Sequence, residues 1–217
     1  MDIEQARYNM VEQQVRPWDV LDQEVLDLLF RVRREDFVPE AHRALAFVDM
    51  EIPLGHGQTM WTPKLEARVI QELALRPADR VLEVGTGSGY LTALLASQAA
   101  EVVSVDIVPE FTAEAARKLR AHGFDNVVLH TGDAARDWPD DAGFDVIVLT
   151  GSTPVLSDAW RHRLRVGGRM FVITGEAPVM QARLVTCTAP GATRSVTLFE
   201  TCVAPLVNAP QPAAFVF

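Results

Sequence analysis

The stretch V-L-E-V-G-T-G-S-G-Y sets Gly85, Gly87 and Gly89 at alternate positions, with Thr86 and Ser88 between them. Glycine in such a turn lets the backbone approach a ligand closely and adopt left-handed dihedrals. A helix starting there offers unpaired N–H groups to the same ligand. The next apolar run, E-V-V-S-V-D, ends at Asp106, 21 positions after Gly85. An acid at that place can accept hydrogen bonds from both hydroxyls of a ribose. A third run closes with T-G-D-A, and Asp133 in it can face an adenine amino group. All three features fall at the carboxyl ends of strands, where open α/β sheets bind their ligands. The dinucleotide fingerprint needs its third glycine where this chain has Tyr90, and no Tyr-Lys or His-acid pattern accompanies it, which disfavours a nicotinamide-dependent oxidoreductase.

A second group of candidates lies upstream, in I-P-L-G-H-G-Q-T-M-W-T-P-K-L-E. It offers Gln58, Thr59 and Thr62 as neutral polar side chains, His56 between two glycines, and Trp61. His56 can border a site or stand exposed on its loop. Asp49 is either functional or an anchor for the loop backbone. His42, His122, His130 and His162 are expected to be structural or solvated. Cys187 and Cys202 are expected to be buried, reduced thiols, and no metal-ligand spacing includes them.

These candidates need elements to hold them. Val25, Leu28, Leu29 and Val32 follow helical spacing, with Asp22 as a cap. Residues 1 to about 48 therefore read as helical, 49–63 as irregular, and P-K-L-E-A-R-V-I-Q-E-L-A-L as a helix opening on proline. From Arg80, short apolar runs alternate with helical ones, which predicts an α/β fold with a doubly wound, mostly parallel sheet. R-V-G-G-R-M-F-V-I-T-G reads as a turn feeding a strand, and two β-rich runs around Pro190-Gly191 as a C-terminal antiparallel hairpin. The N-terminal helices form an extension. The boundaries are 1–63, 64–207 and a loosely held tail at 208–217.

With 217 residues, 48% hydrophobic content and 23% charged residues, the chain has enough apolar mass for one core. A net charge of -9 disfavours nucleic acid and anionic membrane as partners. The N-terminus has neither the basic nor the apolar region of a secretory signal, and no run approaches the roughly 18 apolar residues of a membrane span. A cytoplasmic location is expected. Nothing in the pattern sets an oligomeric state.

E-V-G-T-G-S-G and L-R-V-G-G-R-M-F-V resemble motifs of the class I S-adenosyl-L-methionine-dependent methyltransferases. The resemblance narrows through N-M-V-E-Q-Q-V, F-V-P-E-A-H-R-A-L-A-F-V-D, I-P-L-G-H-G-Q-T, W-P-D-D-A-G-F-D-V-I-V-L-T-G-S and V-A-P-L. Over residues 9–207 the chain is similar to the protein-L-isoaspartate (D-aspartate) O-methyltransferases. The resemblance implies a Rossmann-like methyltransferase sheet and an isoaspartyl-containing peptide or protein as substrate. It implies cofactor contacts from Gly85, Thr86, Gly87, Ser88, Gly89, Asp106, Ile107, Asp133 and Ala134, with Glu83 just beneath the cofactor. It implies a substrate-orienting role for Gln58 and Thr59. Where the family carries an active-site serine, this chain has Trp61, followed by Thr62. Tryptophan is large and has a single N–H donor. Three readings stay open: repair of isoaspartyl residues, with Thr62 assisting; methylation of another substrate, with Trp61 lining its pocket; and a non-catalytic cofactor-binding protein whose cleft Trp61 fills.

Overall fold

The computed structural model describes residues 2–212. Seven strands form one sheet: β3 (Arg80–Val84), β4 (Glu101–Asp106), β5 (Val127–Thr131), β6 (Phe144–Thr153), β7 (Leu164–Glu176), β8 (Val179–Ala189) and β9 (Ala192–Thr201), in the order β5-β4-β3-β6-β7-β8-β9. The first five in that order run parallel, and β8 and β9 add an antiparallel hairpin at the edge. Order reverses between β3 and β6, so a crevice opens at their carboxyl ends.

Helices cover both faces because the parallel strands are apolar on both sides. One face buries Met10, Leu28, Phe37, Leu94 and Phe171 together, joining the N-terminal helices to the sheet in a single apolar cluster. The other buries Leu82, Phe144, Trp160 and Val172. The N-terminal segment has helices α1 (Ile3–Met10) and α2 (Gln23–Arg31). Asp2 caps α1, and Asp22 caps α2 by accepting from the Glu24 N–H at 2.9 Å. The α2 stripe is buried as its spacing predicts, at Val25, Leu28, Leu29 and Val32.

Two expectations change. The segment read as irregular is a tight hairpin, β1 (Ile52–Gly55) and β2 (Gln58–Met60), with Gly55, His56 and Gly57 all at positive φ in its turn. Its two strands are too short for a periodic pattern to show. Cys187 is buried, but Cys202 is exposed just beyond the end of β9. Both thiols are free.

No helix of the described residues is long and apolar enough to cross a membrane. Of the tail, Asn208 and Ala209 are docked: Ala209 is buried, and its N–H donates to Leu206 O at 3.1 Å. Residues 213–217 of that expected loose tail lie outside the described residues.

Candidate active site

β3 runs into the glycine turn and then α4 (Tyr90–Ala96). At Gly85, φ is 102° and an added Cβ would stand 2.0 Å from Thr150 Oγ1. Only glycine fits there, because Thr150 donates to the carbonyls of Val84 and Gly85 at 2.8 and 2.9 Å and ties the turn to β6. Asp106, at the end of β4, accepts from the Gly87 N–H at 2.8 Å and from the Val108 N–H at 2.9 Å. The carboxylate is thereby aimed, with further lone pairs left over. Burial pushes it above its usual range, while those N–H donors pull it down. Asp133 accepts from the Ala135 N–H at 3.0 Å and from Asn208 Nδ2 at 2.8 Å.

One cleft joins these groups. Thr86, Gly87, Ser88, Asp106, Ile107, Asp133 and Ala134 line it together with Gly85. Glu83 and Gly89 do not. Gly89 stands at the start of α4 with φ 82°, where an added Cβ would crowd Ala115. Glu83 is fully buried beneath the turn and accepts from Thr92 Oγ1 at 2.5 Å and Ser104 Oγ at 2.6 Å. The Ser104 hydroxyl in turn meets Thr86 Oγ1 at 2.6 Å, so Glu83 connects to the cleft through two hydroxyls. Burial raises its carboxyl to about 8.

The opposite wall comes from the β1–β2 hairpin. Leu54, Gln58, Thr59, Met60 and Trp61 line the cleft. Thr59 donates its hydroxyl hydrogen to Glu51 at 3.0 Å. Thr62 does not line the cleft. It caps α3 (Pro63–Leu73), with Oγ1 accepting from the Leu65 N–H at 3.4 Å. Pro63 at the first helical position makes residue 62 the cap, so this placement was readable from the Thr-Pro pair. Trp61 does not plug the cleft. It is only 6% exposed, and its ring packs edge-on against Phe171 at 6.3 Å within the apolar core. The cleft runs beside it.

Beneath this wall lies a buried cation. Arg34 donates to Trp61 O at 2.6 Å and to Met60 Sδ at 3.4 Å, and its guanidinium sits 5.4 Å from the Tyr90 ring centre. Its ion pair with Glu66 spans 3.2 Å. Burial raises the Glu66 carboxyl to about 8 against the pull of Arg34. Arg34 thus binds together the hairpin, α3 and the helix that follows the glycine turn. Sequence reasoning missed Arg34, as it missed Thr150, Phe111 and the closing segment Ala204–Val207, all but Arg34 in the cleft lining. That segment crosses β6, with Ser152 N–H donating to Ala204 O at 3.0 Å and Leu206 N–H to Ser152 O at 2.9 Å. The V-A-P-L motif was its one sequence signal.

The histidines stand outside the cleft lining. His56 is exposed at the hairpin tip, edge-on to Phe111 at 5.5 Å. Asp49 pairs with the Lys64 side chain at 2.7 Å rather than with the loop backbone. Among the described residues no cluster of His, Cys, Asp and Glu could hold a metal.

The family model for protein-L-isoaspartate(D-aspartate) O-methyltransferase matches residues 5–209. The chain belongs to that family. A protein-L-isoaspartate O-methyltransferase 2 from Marinobacter nauticus is 39% identical over 183 residues, covering 84% of each chain. A protein-L-isoaspartate O-methyltransferase 1 from an Anaeromyxobacter species is 45% identical over 163 residues, covering 75% of this chain and 77% of its own. Among solved structures, one assigned as the Plasmodium falciparum protein-L-isoaspartate O-methyltransferase, crystallised with S-adenosyl-L-homocysteine, shares the fold. Its TM-score is 0.76 at 20% identity, over 92% of this chain and 97% of that one.

Proposed function

We propose that this protein is an S-adenosyl-L-methionine-dependent O-methyltransferase that esterifies the α-carboxylate of L-isoaspartyl residues in damaged proteins. The observation that carries this reading is the joining of two walls in one cleft. A family-wide match spans both walls, the strand-end acids on one side and the β1–β2 hairpin on the other.

The residues suit the cofactor. Asp106 presents oriented acceptors for ribose hydroxyls, Asp133 an acceptor for an exocyclic amine, and Ile107 and Phe111 apolar surface for a flat base. When bound, the cofactor supplies a methyl on a sulfonium: a carboxylate lone pair forms the new O–CH3 bond as S–CH3 breaks, its electrons remaining on sulfur, and no proton moves. The protein therefore needs no strong base, and the absence of histidine from the lining fits. A substrate carboxylate is already ionised at neutral pH. What remains for the chain is in-line positioning and partial removal of water. Gln58, which carries an amide on the hairpin wall, orients the acceptor. Thr62 acts on that wall indirectly, by starting α3.

The net charge of -9 supports a protein rather than a nucleic acid as the macromolecular substrate. The free thiols suit a reducing compartment, the cytoplasm.

The test is methyl transfer from labelled S-adenosyl-L-methionine to an isoaspartyl peptide, read as base-labile methanol, with the aspartyl peptide as control. Transfer to the isoaspartyl peptide alone is expected. No transfer, from protein that binds the cofactor, would overturn the reading.

A further inference from the structure

If the acceptor is a carboxylate, the cleft must orient it without a cation. Its lining residues include Asp106 and Asp133 but no lysine, arginine or histidine. Orientation then falls to neutral donors, and most of those are committed. The Thr59 hydroxyl hydrogen goes to Glu51. That of Thr150 goes to the backbone of the glycine turn. The Thr86 hydroxyl pairs with Ser104. Among the described residues two side-chain donors remain on the hairpin wall: the Gln58 amide and the Trp61 indole N–H.

Trp61 is held as a donor should be. Its carbonyl is fixed by buried Arg34, and its ring is wedged edge-on against Phe171. Rotamer freedom is therefore already spent before a ligand arrives. Among the described residues nothing accepts from Nε1, and that atom is not one of the buried side-chain nitrogens left without a partner, as Trp160 Nε1 is. The small remaining exposure of Trp61, 6%, belongs to a residue that lines the cleft.

We propose that the Trp61 indole N–H donates a hydrogen bond to the acceptor carboxylate and, with Gln58, holds one oxygen in line for methyl transfer. This rests on the carboxyl-methyltransferase reading above. A hydrogen bond to a charged acceptor is stronger than a neutral one, and it weakens as the carboxylate becomes a neutral ester, which favours release of the product. The N–H proton stays on nitrogen throughout.

The test uses the full chain with S-adenosyl-L-homocysteine and an isoaspartyl peptide. Nitrogen-15 indole resonances are followed on adding the peptide, with Trp61→Phe assigning the Trp61 signal. A downfield shift of the Trp61 N–H is expected, and none with the α-carboxamide form of the same peptide. In turnover, Trp61→Phe keeps the ring and removes the donor. It should retain cofactor affinity and lose about tenfold or more in kcat/KM. Methyl transfer by wild-type protein with a silent Trp61 resonance and an unimpaired Trp61→Phe variant would overturn the donor and leave the repair function standing. No transfer by wild-type protein would overturn the repair reading. The resonance would still decide the donor: a shift by the carboxylate peptide alone would support it, and silence would overturn it.

Discussion

The two walls of the cleft are built on different principles. The cofactor wall is mostly local: Gly85 to Gly89, Asp106 and Asp133 follow three consecutive strands, and each acid accepts from a backbone N–H in its own turn, Asp106 also from the Gly87 N–H and Asp133 also from Asn208. The acceptor wall is remote. The hairpin is a two-stranded piece separate from the main sheet, and a two-stranded hairpin is marginal by itself. It is held by Arg34 from the short 3-10 helix after α2, by α3 below, and by the core around Phe171. One wall depends on backbone geometry, the other on a buried cation and side-chain packing. Substitutions should therefore separate them.

The largest effect is expected from Arg34→Met. It strands the Trp61 carbonyl in the core and removes the partner of Glu66. Stability should fall by about 3 kcal/mol, since breaking a buried pair from one side is costly, read by urea unfolding. Cofactor affinity of the folded fraction should hold while transfer to peptide collapses. Equal loss of both would mean that the walls are one unit, which breaks the comparison.

Asp106→Ala attacks the other wall. Cofactor binding should weaken by about 1–3 kcal/mol through the lost acceptor, measured by titration calorimetry, with the melting temperature of the cofactor-free protein changing less than in Arg34→Met. Unchanged affinity would remove Asp106 from the ribose assignment.

A third effect sharpens the contrast through pH. Buried Glu83 titrates near 8 in the folded protein, above the ordinary 4.5. Between those values the folded state holds a proton that the unfolded state releases. The contribution of Glu83 to stability is therefore fully present below about 4.5 and is lost as pH rises toward 8. Glu83→Gln stays neutral throughout. Its melting temperature relative to wild type should rise between pH 5 and pH 8, by several degrees or more. A constant difference across that range would mean that Glu83 is ionised already at pH 5.

Legibility followed the same division. The glycines, Asp106 and Asp133 were readable because motif and strand periodicity lie within short spans of chain, and the carboxyl-end rule brings them together. The hairpin, too short for a period to show, was read as irregular. Thr62 was given a substrate role although Thr-Pro spells a helix cap. Cys202 was expected inside and is outside, because the end of an edge strand has a neighbour on one side only. Arg34 stands within the run R-V-R-R-E-D, where nothing distinguishes it from its exposed neighbours Arg31 and Arg33.

The sequence by itself determined the doubly wound sheet, the cofactor turn and the acids at its strand ends, since period, glycine placement and spacing act over short distances. Tertiary structure alone decided which donors remain free on the acceptor wall. That depends on where Glu51, Glu66, Arg34 and Phe171 meet the hairpin, contacts between segments as much as 110 residues apart, from Trp61 to Phe171, and such contacts exist only once the core has closed.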